Sequence, residues 1–316
     1  MPDSLEPDEQ LEWEERLARP AGLAAIAAAV LLFAGTIIYP TLTSDASSNS
    51  AADALRRIHD TPAHAYIPGL LQTLGYLAMA LPLYYLYQAT KARREELLSA
   101  TRILLFVGSV VTAIVFMAHQ VIVVQAANDF ASERLPVAVP GTGPGDGRGV
   151  GAVAGVLTVG EQRAADLLSD KSGTPVLIAL QYAGILSLAF ALVLLGLNAM
   201  RAGLLSRFLG YLAITIGVLT VVPLIGPVSG VIQIFWLGAI GLIFLNRWPG
   251  GRGPAWSVAE PLPWPTAADK RAALQADAGV PDEDEYEEEL DPEPAAAAPG
   301  VPAHPSSKKR RKRKRR

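Results

Sequence analysis

The sequence predicts an all-α protein, a polytopic six-helix transmembrane bundle with a disordered cytoplasmic C-terminal tail. Three observations carry that prediction. Between Ala21 and Leu245 the chain contains six stretches free of Asp, Glu, Lys and Arg. Each is roughly 17 to 25 residues long, the length that crosses ~30 Å of hydrocarbon at 1.5 Å per residue. Positive charge close to the spans is concentrated on alternate connections, the opposite side holding Arg56 and Arg57 in the first loop and four scattered positive charges in the long third loop, and the composition changes sharply after Arg252.

The formal net charge of −3 hides opposed blocks rather than describing a uniform surface. The chain has no Cys, which removes disulfides, thiolate metal ligands and thiol chemistry from consideration.

Residues 1–20 read as an acidic cytoplasmic tail containing Glu12, Glu14 and Glu15. The first span is placed at 21–39. A secretory leader has a short, positive leading region, so the long acidic one here favours an uncleaved anchor. The next spans are placed at 66–87, 103–124, 175–197, 208–225 and 230–245, together forming a membrane domain over 21–245 with outer loops at 40–65 and 125–174.

Lys and Arg near a span resist translocation, whereas Asp and Glu count for little. Lys91, Arg93, Arg94 and Arg102 follow the second span, Arg201 and Arg207 the fourth, and Arg247 and Arg252 the sixth. These connections are expected on the cytoplasmic side, with both chain ends, and Arg16 and Arg19 then fall correctly. The outer loops each carry a capping-box pattern, Ser50-Ala-Ala-Asp53 and Thr158-Val-Gly-Glu161, and so predict short helices, the second running to about Asp170. The Gly226-Pro-Val-Ser-Gly230 segment reads as a tight turn.

Residues 246–316 form the predicted tail, too poor in apolar side chains to offset the entropy of ordering it. It carries nine acids between Asp282 and Glu293 and nine consecutive bases, Lys308, Lys309, Arg310, Arg311, Lys312, Arg313, Lys314, Arg315 and Arg316. Such a block attracts anionic lipid headgroups at up to ~1 kcal/mol per residue. The acidic block is a second candidate partner. Nucleic acid ranks last, because no folded reader or interleaved aromatic accompanies the bases.

Within the spans the informative residues are amides. Gln72, Gln120, Gln181 and Gln233 each lie a few residues from the outer end of their helix, so rise alone places them at one depth, with His119 beside them. Two roles fit that layer: interhelical packing at ~0.6–2 kcal/mol per amide, or a polar cavity open to the outside. His119 reads as a packing residue. His59, Asp60 and His64 are a weak metal candidate, and no metal or other cofactor is expected. The Gly141–Gly151 run lacks the Gly-Lys-Ser/Thr or strand context of a phosphate loop.

The second and fourth spans superpose at a fixed offset, with Gln72, Gly75, Leu83 and Leu86 matching Gln181, Gly184, Leu192 and Leu195; both are followed by Leu-Leu-Ser and an Arg. Duplication of a hairpin and chance matching in apolar sequence both remain open.

The stretch Met200-Arg-Ala-Gly-Leu-Leu-Ser-Arg-Phe-Leu-Gly-Tyr211, with Phe235-Trp-Leu-Gly238 and Asn246-Arg-Trp-Pro-Gly-Gly-Arg-Gly-Pro-Ala-Trp256, resembles a family of uncharacterised multi-spanning actinobacterial membrane proteins. The resemblance implies a bacterial plasma-membrane location and a recurring architecture, and brings no catalytic residue with it.

No Asp, Glu, Lys or Arg lies inside any span, whereas ion-coupled transporters place such groups at mid-membrane. A non-enzymatic scaffold, sensor or assembly factor is therefore the preferred expectation. A channel or carrier for a small uncharged or polar solute, using the Gln layer, is the alternative, and a lipid-active membrane enzyme comes third.

Overall fold

The computed structural model describes residues 6–43, 51–133, 159–172, 175–221, 226–265 and 267–277. The Gly141–Gly151 run, the acidic block at 282–293 and the bases Lys308–Arg316 lie outside the described residues. Those described form helices and no strand: α1 (Pro7–Thr43), α2 (Ala51–Asp60), α3 (Ala63–Arg93), α4 (Ala100–Ser132), α5 (Val159–Ser172), α6 (Pro175–Ala202), α7 (Arg207–Val221), α8 (Gly226–Phe244) and α9 (Ala267–Asp277), with one 3-10 turn at Pro254–Ser257.

Four helices are long and apolar enough to cross a membrane, over Pro7–Tyr39, Ala63–Arg93, Ala100–Ser132 and Val176–Ala202; α7 and α8 are apolar but shorter. Six helices form a ring in chain order. α1 packs on α3, α3 on α4, α4 on α6, α6 on α7, α7 on α8, and α8 returns to α1, while α3 also touches α6 across the middle. One face of the ring, here the basic end, collects Arg93, Arg102, Arg201, Arg207 and Arg247. At the opposite, cap end, α2 and α5 lie over the end of α4.

The ring closes on small residues. A Cβ at Gly75 would lie 2.7 Å from Leu32, one at Gly241 2.8 Å from Ile26, and one at Gly196 2.7 Å from Ala213. Such sites let helices approach closely where lipid supplies no hydrophobic drive toward association. The basic-end core is filled by Met79, Leu83, Leu86, Leu192, Leu195, Trp236, Ile240 and Phe244, all nearly sealed, and the Trp236 indole donates to the Leu209 carbonyl at 3.0 Å.

A second core lies at the cap end. α2 turns Ala52, Leu55 and Ile58 inward against Val123, Ala126, Ala127 and Phe130 of α4, joined by Ala164 and Leu167 of α5. These two helices begin one residue after Ser50 and Thr158, where the capping-box patterns place them. The helix–short helix–helix order α1-α2-α3 is repeated in α4-α5-α6. Within these triplets Gly75 meets Leu32 of α1 and Gly184 meets Thr112 of α4.

Three expectations need correction. α1 starts at Pro7, so most of the acidic tail is helix continuous with the first span. Its buried face runs Gln10, Glu14, Ala18, Ala21, Ala25, Ala28, Leu32 and Gly35 without a break at residue 20. The tight turn expected at 226–230 is helical: Pro227 falls in the first turn, where its missing N–H breaks no bond and its fixed φ suits a helix. The folded unit does not end at 245 but runs to Trp264; a second unit, Pro265–Arg316, contains α9.

Candidate functional site

The chemistry of the molecule is concentrated at the basic end. Arg93, at the last residue of α3, and Glu14, two turns into α1, are the only buried charged side chains among the described residues, 5% and 3% exposed. They form a two-pronged pair, Nη1 to Oε1 at 2.5 Å and Nη2 to Oε2 at 3.0 Å. The planar fork of a guanidinium matches a carboxylate in this way, and its remaining donors must be satisfied if it is buried.

They are. Arg93 Nη1 also donates to the Ala89 carbonyl at 2.9 Å. Its Nε donates to the Ala255 carbonyl at 3.0 Å and the Val258 carbonyl at 3.1 Å, and Nη2 reaches Val258 at 2.8 Å. On the acidic side, the Gln10 amide donates to Glu14 Oε1 at 2.8 Å, and the Tyr85 hydroxyl donates to the Glu14 carbonyl at 2.9 Å.

The acceptors at Ala255 and Val258 belong to a strap, residues 246–264, that folds back across the basic end. Trp256 anchors it. The ring stacks on Tyr85 at 5.6 Å, meets Phe244 edge-on at 5.7 Å, and lies beneath both Arg93 and Arg252. Its indole donates to the Leu204 carbonyl at 2.9 Å. Arg252 donates in turn to the Ile243 and Phe244 carbonyls left open by the end of α8. Trp13 of α1 completes the aromatic stack on Tyr85 at 5.6 Å.

Two glycines let the strap lie flat on the α6–α7 turn. Gly203 has φ +84°, a left-handed conformation, and any side chain there would strike the Leu262 carbonyl; one at Gly253 would strike the Gly203 carbonyl. The Leu262 N–H donates to the Ala202 carbonyl at 3.1 Å.

The amide layer does not assemble as one group. Gln72 is half-buried against Gly35 of α1, where a Cβ would lie 2.6 Å from its Cγ. Gln120, 5% exposed, lies over Gly69 of α3, and its Oε1 has no hydrogen-bond partner. Gln233 is also 5% exposed and donates to Met79 Sδ at 3.1 Å. Met79 is seven residues beyond Gln72 on α3, about 10 Å further into the bundle. α8 is a short helix, and counting from its start therefore misjudges the depth of Gln233. Gln181 and His119 are exposed.

At the cap end the His59 Nδ1–H donates to Asn128 Oδ1 at 3.0 Å. His59, Asp60 and His64 do not form a ligand set; no cluster of three His, Asp or Glu suited to a metal occurs among the described residues. Glu133 accepts from Arg163 Nε at 2.7 Å and Nη2 at 2.5 Å. Those hydrogen bonds hold the Glu133 carboxyl below the usual range and push Arg163 up.

Sequence reasoning missed the Glu14–Arg93 clamp and its strap. The signal for Glu14 lay in the spacing of Gln10, Glu14, Ala18, Ala21, Ala25, Ala28 and Leu32, one stripe crossing the supposed tail boundary. The signal for the strap lay in Trp248, Trp256 and Trp264, three of the five tryptophans in the chain, within a segment read as disordered tail. No family model matches the chain, and no curated protein or solved structure matches it either.

Proposed function

We propose that the chain is a six-span protein of a bacterial plasma membrane, with both ends cytoplasmic, that serves as a non-enzymatic scaffold presenting its charged C-terminal tail at the membrane surface. The observation that carries this reading is the clamp. The two buried charges are consumed by one another and by the strap, so the groups best suited to chemistry hold the architecture together instead.

The ring supports the span count. α7 and α8 stand between α6 and α1, each of which is long enough to cross, and the apolar sequence after Val221 continues through Ile225. Charge pairing supports the orientation. At the basic end Arg16, Arg19, Arg102, Arg201, Arg207 and Arg247 are exposed and have no ion-pair partner among the described residues. At the cap end Arg56 pairs with Asp53 at 3.1 Å and Arg163 with Glu133 at 2.5 Å. Among the described side chains, exposed Arg without an ion-pair partner is thus found at the end proposed to face the cytoplasm.

On this reading the bases Lys308–Arg316 hold the tail on anionic headgroups, and the amides of Gln72, Gln120 and Gln233 pack helices rather than line a path. The test is flux. Purified protein in liposomes is expected to show no saturable uptake across a panel of small polar solutes. Saturable uptake abolished by Gln120→Leu or Gln233→Leu overturns the scaffold reading in favour of a carrier.

A further inference from the structure

α4 and α6 touch at one level and part above it. A Cβ at Gly108 would lie 2.7 Å from the Leu188 nitrogen, and one at Gly184 would lie 2.9 Å from Thr112 Oγ1. At that level the two backbones nearly meet. His119 is eleven residues beyond Gly108, about three helical turns, so it projects from the face of α4 that meets α6. Leu180 and Gln181 fall within one turn of Gly184, on the side of α6 that meets α4. Yet Leu180 is 40% exposed, and Gln181 and His119 are exposed as well. From Val176 to Ala183 every residue of α6 is exposed except Leu177, two turns before Gly184 on the same side, which is half-buried.

The repeated unit shows why. In α1 and α3 the contact of Leu32 with Gly75 is followed three residues along by Gly35, which receives Gln72. In α4 and α6 the contact of Thr112 with Gly184 is followed three residues along by Val115. A branched side chain stands where the first unit has a glycine. α6 is therefore held off α4, and Gln181 loses the cover that its counterpart Gln72 enjoys.

The result is a wedge open sideways to the bilayer near the cap end. Its walls are apolar at Val115, Leu177 and Leu180 and polar at His119 and Gln181. Neither polar side chain has a hydrogen-bond partner among the described residues. An unpaired amide in hydrocarbon is costly, and a bare acyl chain cannot relieve it. No Asp, Glu, Lys or Arg occurs between 103 and 124 or between 175 and 197, so neither span supplies a counter-charge for an ionic headgroup. We propose that this wedge is a binding site for an uncharged lipid of the diacylglycerol type, its hydroxyl or ester group bonded to Gln181 and His119 and one chain lying along Leu177 and Leu180.

The test uses the full chain in lipid nanodiscs with a photoreactive diacylglycerol, read by mass spectrometry. Labelling is expected on residues 115–122 and 176–183, competed by dioleoylglycerol and not by dioleoylphosphatidylglycerol. Gln181→Leu should reduce it by about three- to tenfold, the share of one hydrogen bond in lipid, while Gln181→Asn should retain it. Labelling spread equally over other lipid-facing positions such as Leu23 and Phe33 overturns the site, as does equal competition by the anionic lipid. Efficient disulfide cross-linking between copies carrying Leu180→Cys also overturns it, because a second copy of the chain would then fill the wedge. Competition on the wild-type chain decides the matter even if Gln181→Leu fails to fold. None of these readouts depends on whether solute flux supports the scaffold reading.

Discussion

Arg93 and Glu14 stand 79 positions apart in sequence and meet in a two-pronged ion pair that water does not reach. Removing one partner leaves a buried charge alone, which typically costs about 3–5 kcal/mol. Arg93→Ala and Glu14→Ala are therefore expected to lower the unfolding temperature of purified protein steeply. Glu14→Leu with Arg93→Met should recover part of the loss, since an apolar pair of similar volume carries no stranded charge. Arg93→Lys should behave nearly as badly as Arg93→Ala, because an ammonium cannot serve Glu14, Ala255 and Val258 together.

The glycines beneath the amides should be more sensitive than the amides themselves. Gly35→Ala and Gly69→Ala force Gln72 and Gln120 from their seats and are expected to cost about 1–3 kcal/mol by overpacking. Gln120→Leu removes an oxygen that has no partner, and it is expected to be neutral or stabilising. Thermal unfolding of the three variants checks this ordering.

The Glu133–Arg163 pair predicts an acid limit confined to the cap end. Because the folded-state pKa of Glu133 is depressed, its contribution is full above the ordinary carboxylate range and is lost as pH falls through the depressed value. Hydrogen exchange in α5 should accelerate only below about pH 4. Glu133→Gln should remove that step and leave the exchange of α1 unchanged.

The proposed orientation predicts which positions a membrane-impermeant thiol reagent can reach in intact cells. The chain has no Cys, so single introductions are unambiguous. Asp60→Cys at the cap end is expected to react from outside, and Arg207→Cys at the basic end only after permeabilisation. The reverse pattern overturns the orientation.

The tail is expected to lie on anionic lipid. A fluorophore on Lys312→Cys in the full chain should report contact with nanodiscs containing phosphatidylglycerol and not with neutral ones. The contact should weaken as salt shortens the screening length to ~8 Å and below. Replacing the acids of 282–293 with Gln and Asn should strengthen it, because those acids compete for the same bases.

The long apolar helices and the two capping-box helices were legible because each follows from a local rule: uncharged length for the first, Ser or Thr three residues before an acid for the second. The clamp was not, because it depends on distant partners. Glu14 reads as one acid among several until its stripe is followed through Ala18 and Ala21 to Leu32. Arg93 sits beside Arg94, and nothing local says that one is sealed while the other pairs with Glu96 at the surface. The Gly- and Pro-rich strap reads as part of a disordered tail until its tryptophans are counted. The amide layer misled for a simpler reason. Residue counts from helix ends measure depth only when all helices start at one plane, and α8 does not.

The clamp also sets an order of events during synthesis. Arg93 binds Glu14 and the Ala89 carbonyl, both made earlier, but its other bonds go to Ala255 and Val258, made 162 and 165 residues later. While the chain is still emerging, the guanidinium must rely on water for those acceptors, and α1 has no α8 to pack against. Insertion of the helices and completion of the fold are therefore separate stages. The strap acts as a latch that can close only when nearly all of the bundle is in place, and a chain stopped before Trp256 should insert normally yet be recognised as unfinished.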